Sequence, residues 1–270
     1  IQILNNSISP FTTTEAWVPP GPNIQPQTAD NYAIGYFDQN IIPGFQFSAE
    51  GFYRQLHHQI DYSGHASLLF NPFLEGEVYE GQIESYGIET QIRKKAGLFQ
   101  GWLGYTWSNT RMQTDELNNG LAYPVLWDRP HSISLHMAWT PNTRWEFSMN
   151  WSFSTGMPFT SPTGFYYYNN SAVPIYNELN NSRLPNYHRL DLSARLRLNK
   201  PEKKCDHFLE FAIYNLYGRH NPVSMTFNKI VDSNGNLLVP ADFGTDLDYV
   251  PVSMAVAGFI PSLTYQFKIK

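Results

Sequence analysis

The sequence has very little of several features on which common protein classes depend. Its single cysteine, Cys205, excludes an intrachain disulfide and a metal site built from cysteines. No run of 18 apolar residues occurs, so we predict no transmembrane helix. Charged residues make up 15% of the chain and the net charge is −5, which argues against nucleic-acid binding because that requires a clustered basic surface.

Catalytic motifs are absent as well. The sequence contains no Gly-x-Ser-x-Gly, no His-Glu-x-x-His and no glycine loop for phosphate, and no spacing of serine, histidine and aspartate selects a triad. We therefore expect a protein that is not an enzyme and that uses no cofactor.

No metal site is predicted either. His57 and His58 are adjacent on a predicted strand and point to opposite faces, so at most one of them can join His65. Asp232–Asn236 begins like a calcium loop, but Leu237 occupies the position of the required glycine. We interpret Asp232–Asn236 as a hairpin turn, since Asn-Gly favours a tight turn.

Aromatic residues, in contrast, are abundant at 16%, with 17 Tyr and 7 Trp. They occur in segments that alternate with period two, of which Tyr187–Leu198 is the clearest. From Leu190 onward its even positions are apolar, while its odd positions carry Asp191, Arg195 and Arg197. Such a strand has one face against an apolar medium and the other against water. By itself it fits a soluble sheet or a transmembrane barrel.

The connections favour the barrel, because short turns and long loops alternate along the chain. No amphipathic helix is evident, and prolines predict a loop for residues 1–30, outside the membrane. The fold class predicted is all-β, a transmembrane antiparallel β-barrel. Nine strands with an open edge cannot close in lipid, so we expect a partial barrel. The nine strands are predicted at about residues 31–38, 45–62, 86–93, 99–108, 132–139, 145–154, 187–198, 209–214 and 262–269.

Five segments resemble strand-entry motifs of TonB-dependent outer-membrane receptors, in the order of that family: Pro26–Tyr36, Ser85–Glu89, Trp127–His131, Leu184–Leu192 and Ile260–Phe267. The resemblance implies a barrel of about 22 strands with an N-terminal plug, of which residues 1–270 would be the last nine strands without the plug. Ile1–Asn5 lacks the start of a signal peptide, in keeping with a piece of a longer chain. One departure is that Lys268–Lys270 follows Phe267, which is therefore not the final residue.

The resemblance further implies location in the bacterial outer membrane and uptake of a scarce, bulky nutrient powered through TonB. The implied partners are TonB, through the missing N-terminal part, the rest of the barrel and its plug, and outer-membrane lipids, with a surface lipoprotein as a further possibility. The nutrient stays open between a siderophore, a vitamin, a peptide and a glycan.

Two groups of candidate site residues follow. Loop aromatics and amides suit polar organic ligands by stacking and hydrogen bonding, although loop packing or interfacial anchoring is the alternative interpretation. These ligand candidates are Trp17, Tyr123, Trp127, Tyr166, Tyr167, Tyr168, Asn169 and Asn170. The charged residues expected to face the lumen are Glu50, Arg54, Glu89, Arg93, Arg189, Asp191, Arg195 and Arg197.

Two other functions are left open at this stage. A passive outer-membrane pore or a barrel enzyme would share the alternating strands. A soluble β-sandwich that binds a ligand would share them too, but it would bury the apolar face of each strand in a dry core.

Overall fold

The computed structural model describes residues 2–5, 15–63, 71–168, 171–200, 204–229, 249–255 and 257–269. Nine long strands dominate it, and they are labelled here in chain order. They are β1 (Thr28–Ile42), β2 (Phe45–Tyr62), β3 (Val78–Lys94), β4 (Phe99–Gln113), β5 (His131–Trp139), β6 (Trp145–Ser154), β7 (Tyr187–Arg197), β8 (Cys205–Tyr214) and β9 (Ile260–Ile269).

The nine strands form one antiparallel sheet in which each strand pairs with its neighbour in sequence. A short strand, Tyr123–Pro124, adds to β4 as the tenth member. Among the described residues β1 and β9 each pair on one side alone, so the sheet is open at both edges. The predicted order and number of long strands are confirmed.

The connections sort by length as predicted. At one end of the sheet consecutive strands are separated by the short segments 43–44, 95–98, 140–144 and 198–204. At the other end they are separated by the long segments 63–77, 114–130, 155–186 and 215–259. These two ends are called the short-turn end and the long-loop end below.

The register builds continuous apolar rows across the sheet. One row runs Phe47, Ile92, Leu103, Leu135, Trp151 and Leu190 from β2 to β7. A second runs Phe99, Trp139, Phe147, Ala194, Phe211 and Leu263 from β4 to β9. Because side chains alternate along a strand, every member of these rows lies on the same face.

The apolar face is open. Ile34 is 82% exposed, Leu263 is 69% exposed and Phe211 is 49% exposed. In the described part of the chain no second sheet packs on this face, as a β-sandwich would require. The few fully buried apolar side chains cluster elsewhere, at the long-loop end.

Several local predictions need correction. The loop predicted for residues 1–30 contains regular structure despite its prolines, because Gln2–Asn5 pairs with Glu15–Val18. The first long strand begins at Thr28 instead of residue 31, because Thr28 pairs with His57 on β2. Within the connection 155–186, Gly164–Tyr168 pairs with Ser171–Ile175 to form a hairpin.

In the last long connection, Pro222–Lys229 pairs with Tyr249–Ala255. The turn predicted at Asp232–Asn236 lies outside the described residues. In the part of the chain that the structure describes, helix is limited to two short 3-10 segments, Leu74–Glu77 and Asn118–Gly120. Over the described ranges, no helix has the length and apolar character needed to cross a membrane.

Candidate functional site

The face opposite the apolar rows is polar, and the register places all eight charged residues predicted for the lumen on it. One row of this face runs Gln46, Arg93, Trp102, His136, Asn150 and Asp191. Another runs Glu50, Glu89, Thr106, Ser132, Ser154 and Tyr187. Whether this face lines a lumen stays a prediction, since the sheet described here is open.

Glu50 and Glu89 lie directly opposite each other on β2 and β3. Like charges in this position disfavour the pairing of two strands unless a cation or solvent compensates them. They border a shallow recess of about 350 Å3. Two glycines, Gly35 and Gly104, help to form it, because neither has a side chain that would fill the space.

The arginines at the β7–β8 side of this face are held by several partners. Arg189 Nε donates to Asp191 Oδ2 at 3.0 Å, and its Nη1 donates to the hydroxyls of Tyr187 and Tyr214 at 3.0 and 2.9 Å. The guanidinium also lies 4.3 Å from the centre of the Tyr214 ring. These contacts fix Arg189 in one orientation and leave its charge on the polar surface.

Arg195 and Arg197 share one aromatic partner nearer the short-turn end. Their guanidinium carbons lie 4.1 and 5.2 Å from the centre of the Phe208 ring. Arg195 also donates to Gln266 Oε1 and lies 3.9 Å from Glu146 Oε2. The arginines on this part of the wall therefore contact aromatic rings and amides as well as carboxylates.

At the long-loop end a small apolar cluster packs against the sheet. It joins Ile83 and Met112 from β3 and β4 to Leu117, Tyr123 and Val125 from the connection 114–130. Tyr123 is 2% exposed and its hydroxyl donates to Asp61 Oδ2 at 2.7 Å. The contacts described for this ligand candidate are therefore with the protein itself, and its ligand role stays a prediction.

The Asp61–Tyr123 pair lies at the outer tip of β2, beyond the part of that strand that would cross a membrane. Burial raises the pKa of Asp61, while hydrogen bonds from the Tyr123 hydroxyl and the Tyr62 backbone N–H oppose the rise. Burial, together with the negative charge of Asp61, raises the pKa of Tyr123 well above its ordinary value. The tyrosine hydroxyl is therefore a permanent donor, whereas the carboxyl is the group whose charge responds to pH.

An ion pair with one buried partner links two long connections. Asp128 is 2% exposed, accepts from the Thr110 backbone N–H at 2.8 Å and forms an ion pair with the Arg183 guanidinium. Arg183 also donates to the backbone carbonyls of Asp128 and Gly156 at 3.0 and 3.2 Å. Asp128 belongs to the family-like segment Trp127–His131, and no pattern in the sequence predicts its partner Arg183.

Further bonds extend this framework to the last long connection. Asn180 Nδ2 donates to the Pro124 carbonyl at 2.7 Å, which adds a second tie between the connections 114–130 and 155–186. Arg219 Nη2 donates to the Asn186 carbonyl at 3.0 Å. Asn221 is bonded to both backbone groups of His188, at 3.1 and 3.0 Å. Three long connections are thus tied together at their bases.

The remaining ligand candidates are less constrained. Trp127 is 65% exposed and Tyr166 is 52% exposed, so both rings are available on the surface of the long-loop end. Asn169 and Asn170 lie outside the described residues, as do the side chains of three further candidates whose backbones are in short strands: Trp17, Tyr167 and Tyr168.

Two histidines form carboxylate contacts near the same end. His57 Nε2 lies 3.3 Å from Asp30 Oδ2, and His58 Nδ1 lies 2.5 Å from Glu80 Oε1. His58 has a φ of 57°, at an irregularity in the pairing of β2 with β3. Across the ranges that the structure covers, no three histidine, cysteine or acidic side chains gather in a way that could hold a metal ion. His65 lies outside those ranges.

Several solved structures share this fold. The ferric-catecholate import receptor Fiu from E. coli, in its closed form, superposes with a TM-score of 0.55 at 15% identity, over 94% of this chain and 30% of the receptor. The pyoverdine receptor FpvA from Pseudomonas aeruginosa, bound to pyoverdine, gives 0.55 at 13% identity, over 92% and 32%. The FrpB iron transporter from Neisseria meningitidis gives 0.52 at 10% identity, over 92% and 32%.

This chain therefore spans about a third of the length of these solved structures, and the likeness shows the fold alone. No curated protein sequence matches it. A protein-family model matches residues 3–216 of this chain, and that family is described as TonB dependent receptor-like, beta-barrel. The matched range contains β1 to β8 and therefore most of the sheet. The chain belongs to the TonB-dependent receptor β-barrel family, whose members are outer-membrane receptors and transporters.

Proposed function

We propose that this chain forms part of the barrel wall of an outer-membrane transporter that takes up a bulky nutrient in a TonB-dependent manner. The observation that carries the proposal is the single antiparallel sheet with an exposed apolar face and a charged opposite face. In a bilayer the apolar rows would contact hydrocarbon, and the polar face would contact water or the plug. The family match supports the same function.

The polar face is suited to a barrel whose interior is occupied by another part of the protein, such as the plug. Glu50 and Glu89 lie opposite each other, and the described part of the chain offers neither of them a salt-bridge partner. A cationic group supplied from the missing part of the protein would relieve their repulsion. TonB itself would act through that missing part, as the resemblance implies.

The long-loop end is the proposed place for the nutrient. Its connections are tied at their bases, while the side chains of Trp127 and Tyr166 in these connections are exposed. Stacking rings on a rigid base can bind a planar or ring-shaped polar ligand at a low cost in conformational entropy. The related FpvA structure is bound to pyoverdine, but the identity of 13% is too low to transfer a ligand, so a siderophore, a vitamin, a peptide and a glycan all remain candidates.

An uptake assay with the full-length protein tests the proposal. The gene is expressed in a Gram-negative strain that lacks its own receptors, with TonB either present or deleted. The cells are offered labelled ferric siderophores, cobalamin, oligopeptides and oligosaccharides in separate assays. We expect at least one class to accumulate with TonB and not without it, and a protonophore to abolish the uptake.

The same assay separates the alternatives. Uptake that continues without TonB would identify a passive pore and contradict energised transport. Chemical conversion of a substrate at the cell surface would indicate a barrel enzyme. Recovery of the full-length protein in the aqueous fraction without detergent would favour a soluble module, although the exposed apolar rows argue against that alternative.

A further inference from the structure

The lysines of this chain are distributed very unevenly. In the described part every lysine except Lys229 lies in or beside the short turns or at the matching end of β9. These lysines are Lys94, Lys95, Lys200, Lys204 and Lys268. Arg144, in the turn 140–144, adds a further cation. Lys94, Lys95, Arg144, Lys200 and Lys204 together are called the short-turn rim below, without Lys268, because the register places Lys268 on the polar face.

The rim cations are open to solvent. Lys95, Arg144, Lys200 and Lys204 are exposed. Lys94 pairs in register with Phe45, and its Nζ lies 5.0 Å from the centre of that ring. Exposed leucines accompany the cations, with Leu98 59% exposed and Leu198 46% exposed. Basic and apolar side chains therefore occur together at this end of the sheet.

A ladder of stacked rings lies next to these cations on the apolar face. The ring centres are 5.7 Å apart for Phe99 and Trp139, 5.3 Å for Trp139 and Phe147, and 5.6 Å for Phe147 and Trp145. Rings of this kind collect where hydrocarbon meets polar headgroups, and long basic side chains near them extend toward the headgroups. The short-turn rim and the adjacent ring ladder thus supply the basic side chains and the aromatic rings that contact lipid headgroups.

The opposite end of the sheet has more acidic than basic residues, although Arg129 and Arg219 also lie in its connections. Glu75, Asp115, Glu116 and Glu178 are exposed on the long connections. Arg183, in contrast, is paired with buried Asp128 and adds little positive field there. The sheet is therefore polarised from end to end, with its basic end beside the ring ladder.

We propose that the short-turn rim binds the anionic headgroups of glycerophospholipids, and thereby concentrates them around the barrel in the leaflet at that end. This proposal rests on the proposed function, because it requires the apolar rows to lie in a bilayer. The complementarity is between the rim cations and the lipid phosphates, with the ring ladder at the boundary of the acyl chains. The interaction is electrostatic and falls with rising salt.

Lipid analysis of the full-length protein tests the proposal. The protein is reconstituted in vesicles of phosphatidylethanolamine with a minor fraction of phosphatidylglycerol and then extracted with its bound lipid. A basic side chain near an anionic surface favours the anionic species by about fivefold at low salt. We expect phosphatidylglycerol to be enriched about two- to fivefold over its bulk fraction, and high salt to reduce that enrichment.

Two rim variants, K95Q/R144Q and K200Q/K204Q, are compared with R54Q/R111Q, which removes the same charge away from the rim. The rim variants should approach the bulk lipid ratio, while the control should keep the enrichment. Enrichment that is absent from the unaltered protein, or equal in all variants, overturns the proposal. The proposal is also overturned if the rim variants lose binding to a soluble polyglutamate probe while their lipid ratio stays that of the unaltered protein. The rim would then bind an acidic protein instead of lipid.

A gel shift on heating monitors the folded barrel in every sample. A protein that inserts and shows this shift without lipid enrichment contradicts the rim proposal alone. Failure of the full-length protein to insert into vesicles contradicts the proposed function, and the rim proposal with it.

Discussion

Arg183 and Asp128 are 55 residues apart in the chain, and their ion pair joins the connections 114–130 and 155–186. The carboxylate is 2% exposed, while the guanidinium is about a third exposed. Removing one partner of a buried pair leaves an uncompensated charge, which is a larger loss than the pair itself contributes. This pair therefore stabilises the arrangement of the long-loop end.

We predict that R183Q destabilises the long-loop end by about 3 kcal/mol, because Asp128 would remain buried without its cation. Limited proteolysis of the folded full-length protein should cut the two connections faster. The double variant D128N/R183Q removes both charges and should recover part of the resistance. Equal cutting of R183Q and the unaltered protein would contradict this role.

The Asp61–Tyr123 pair predicts a pH dependence. Burial raises the pKa of Asp61 above its ordinary value of 3.8, so the folded state holds this proton more tightly than the unfolded chain does. The contribution of Asp61 to the free energy of unfolding is therefore most favourable at low pH. This contribution is lost as the pH rises from about 4 through the folded-state pKa of Asp61.

Accordingly, D61N should be more stable than the unaltered protein at neutral pH and nearly equal to it below about pH 4. The asparagine oxygen can still accept from the Tyr123 hydroxyl. Thermal unfolding of the full-length protein in detergent across this pH range measures the difference. Y123F provides the contrast, because it leaves the carboxyl without this donor and should lower stability by about 1–3 kcal/mol. A D61N difference that does not change with pH would contradict the assignment.

Gly87 allows close packing between neighbouring strands. A methyl group at this position would lie 2.3 Å from the Trp107 carbonyl oxygen and 2.8 Å from the Phe52 ring. We predict that G87A lowers stability by about 1–3 kcal/mol and reduces the folded fraction seen by the gel shift on heating. Gly76 has no atom within 4 Å of such a methyl group, so G76A serves as the matched control and should behave normally.

The strand pattern was predictable from sequence because it depends on local alternation. Leu190, Leu192 and Arg195 alternate in sequence, and the register places the leucines and the arginine on opposite faces. The short hairpin of Gln2–Asn5 with Glu15–Val18 was missed, because prolines that flank both segments were interpreted as breaking them. Pairing between segments is not visible in the composition of either one.

The long-loop end was less predictable, because its contacts join residues far apart in the chain. Tyr123 was selected as a ligand candidate by its residue type, yet its burial depends on Ile83 and Met112 in other strands. The role of Arg183 depends on Asp128 in the same way. No periodicity marks such pairs, so an alignment of homologues or a structure is needed to find them.

The central claim is that one face of this sheet contacts lipid and the other contacts water, and cysteine labelling on β7 tests it most directly. Cys205 is first replaced by serine in the full-length protein, and single cysteines are introduced at Leu190, Asp191, Leu192 and Ser193. With the protein in outer membranes, a small water-soluble maleimide should label positions 191 and 193, while positions 190 and 192, which lipid or detergent would cover, should react only after unfolding. Equal labelling of all four positions, or labelling of 190 and 192 alone, would contradict the account.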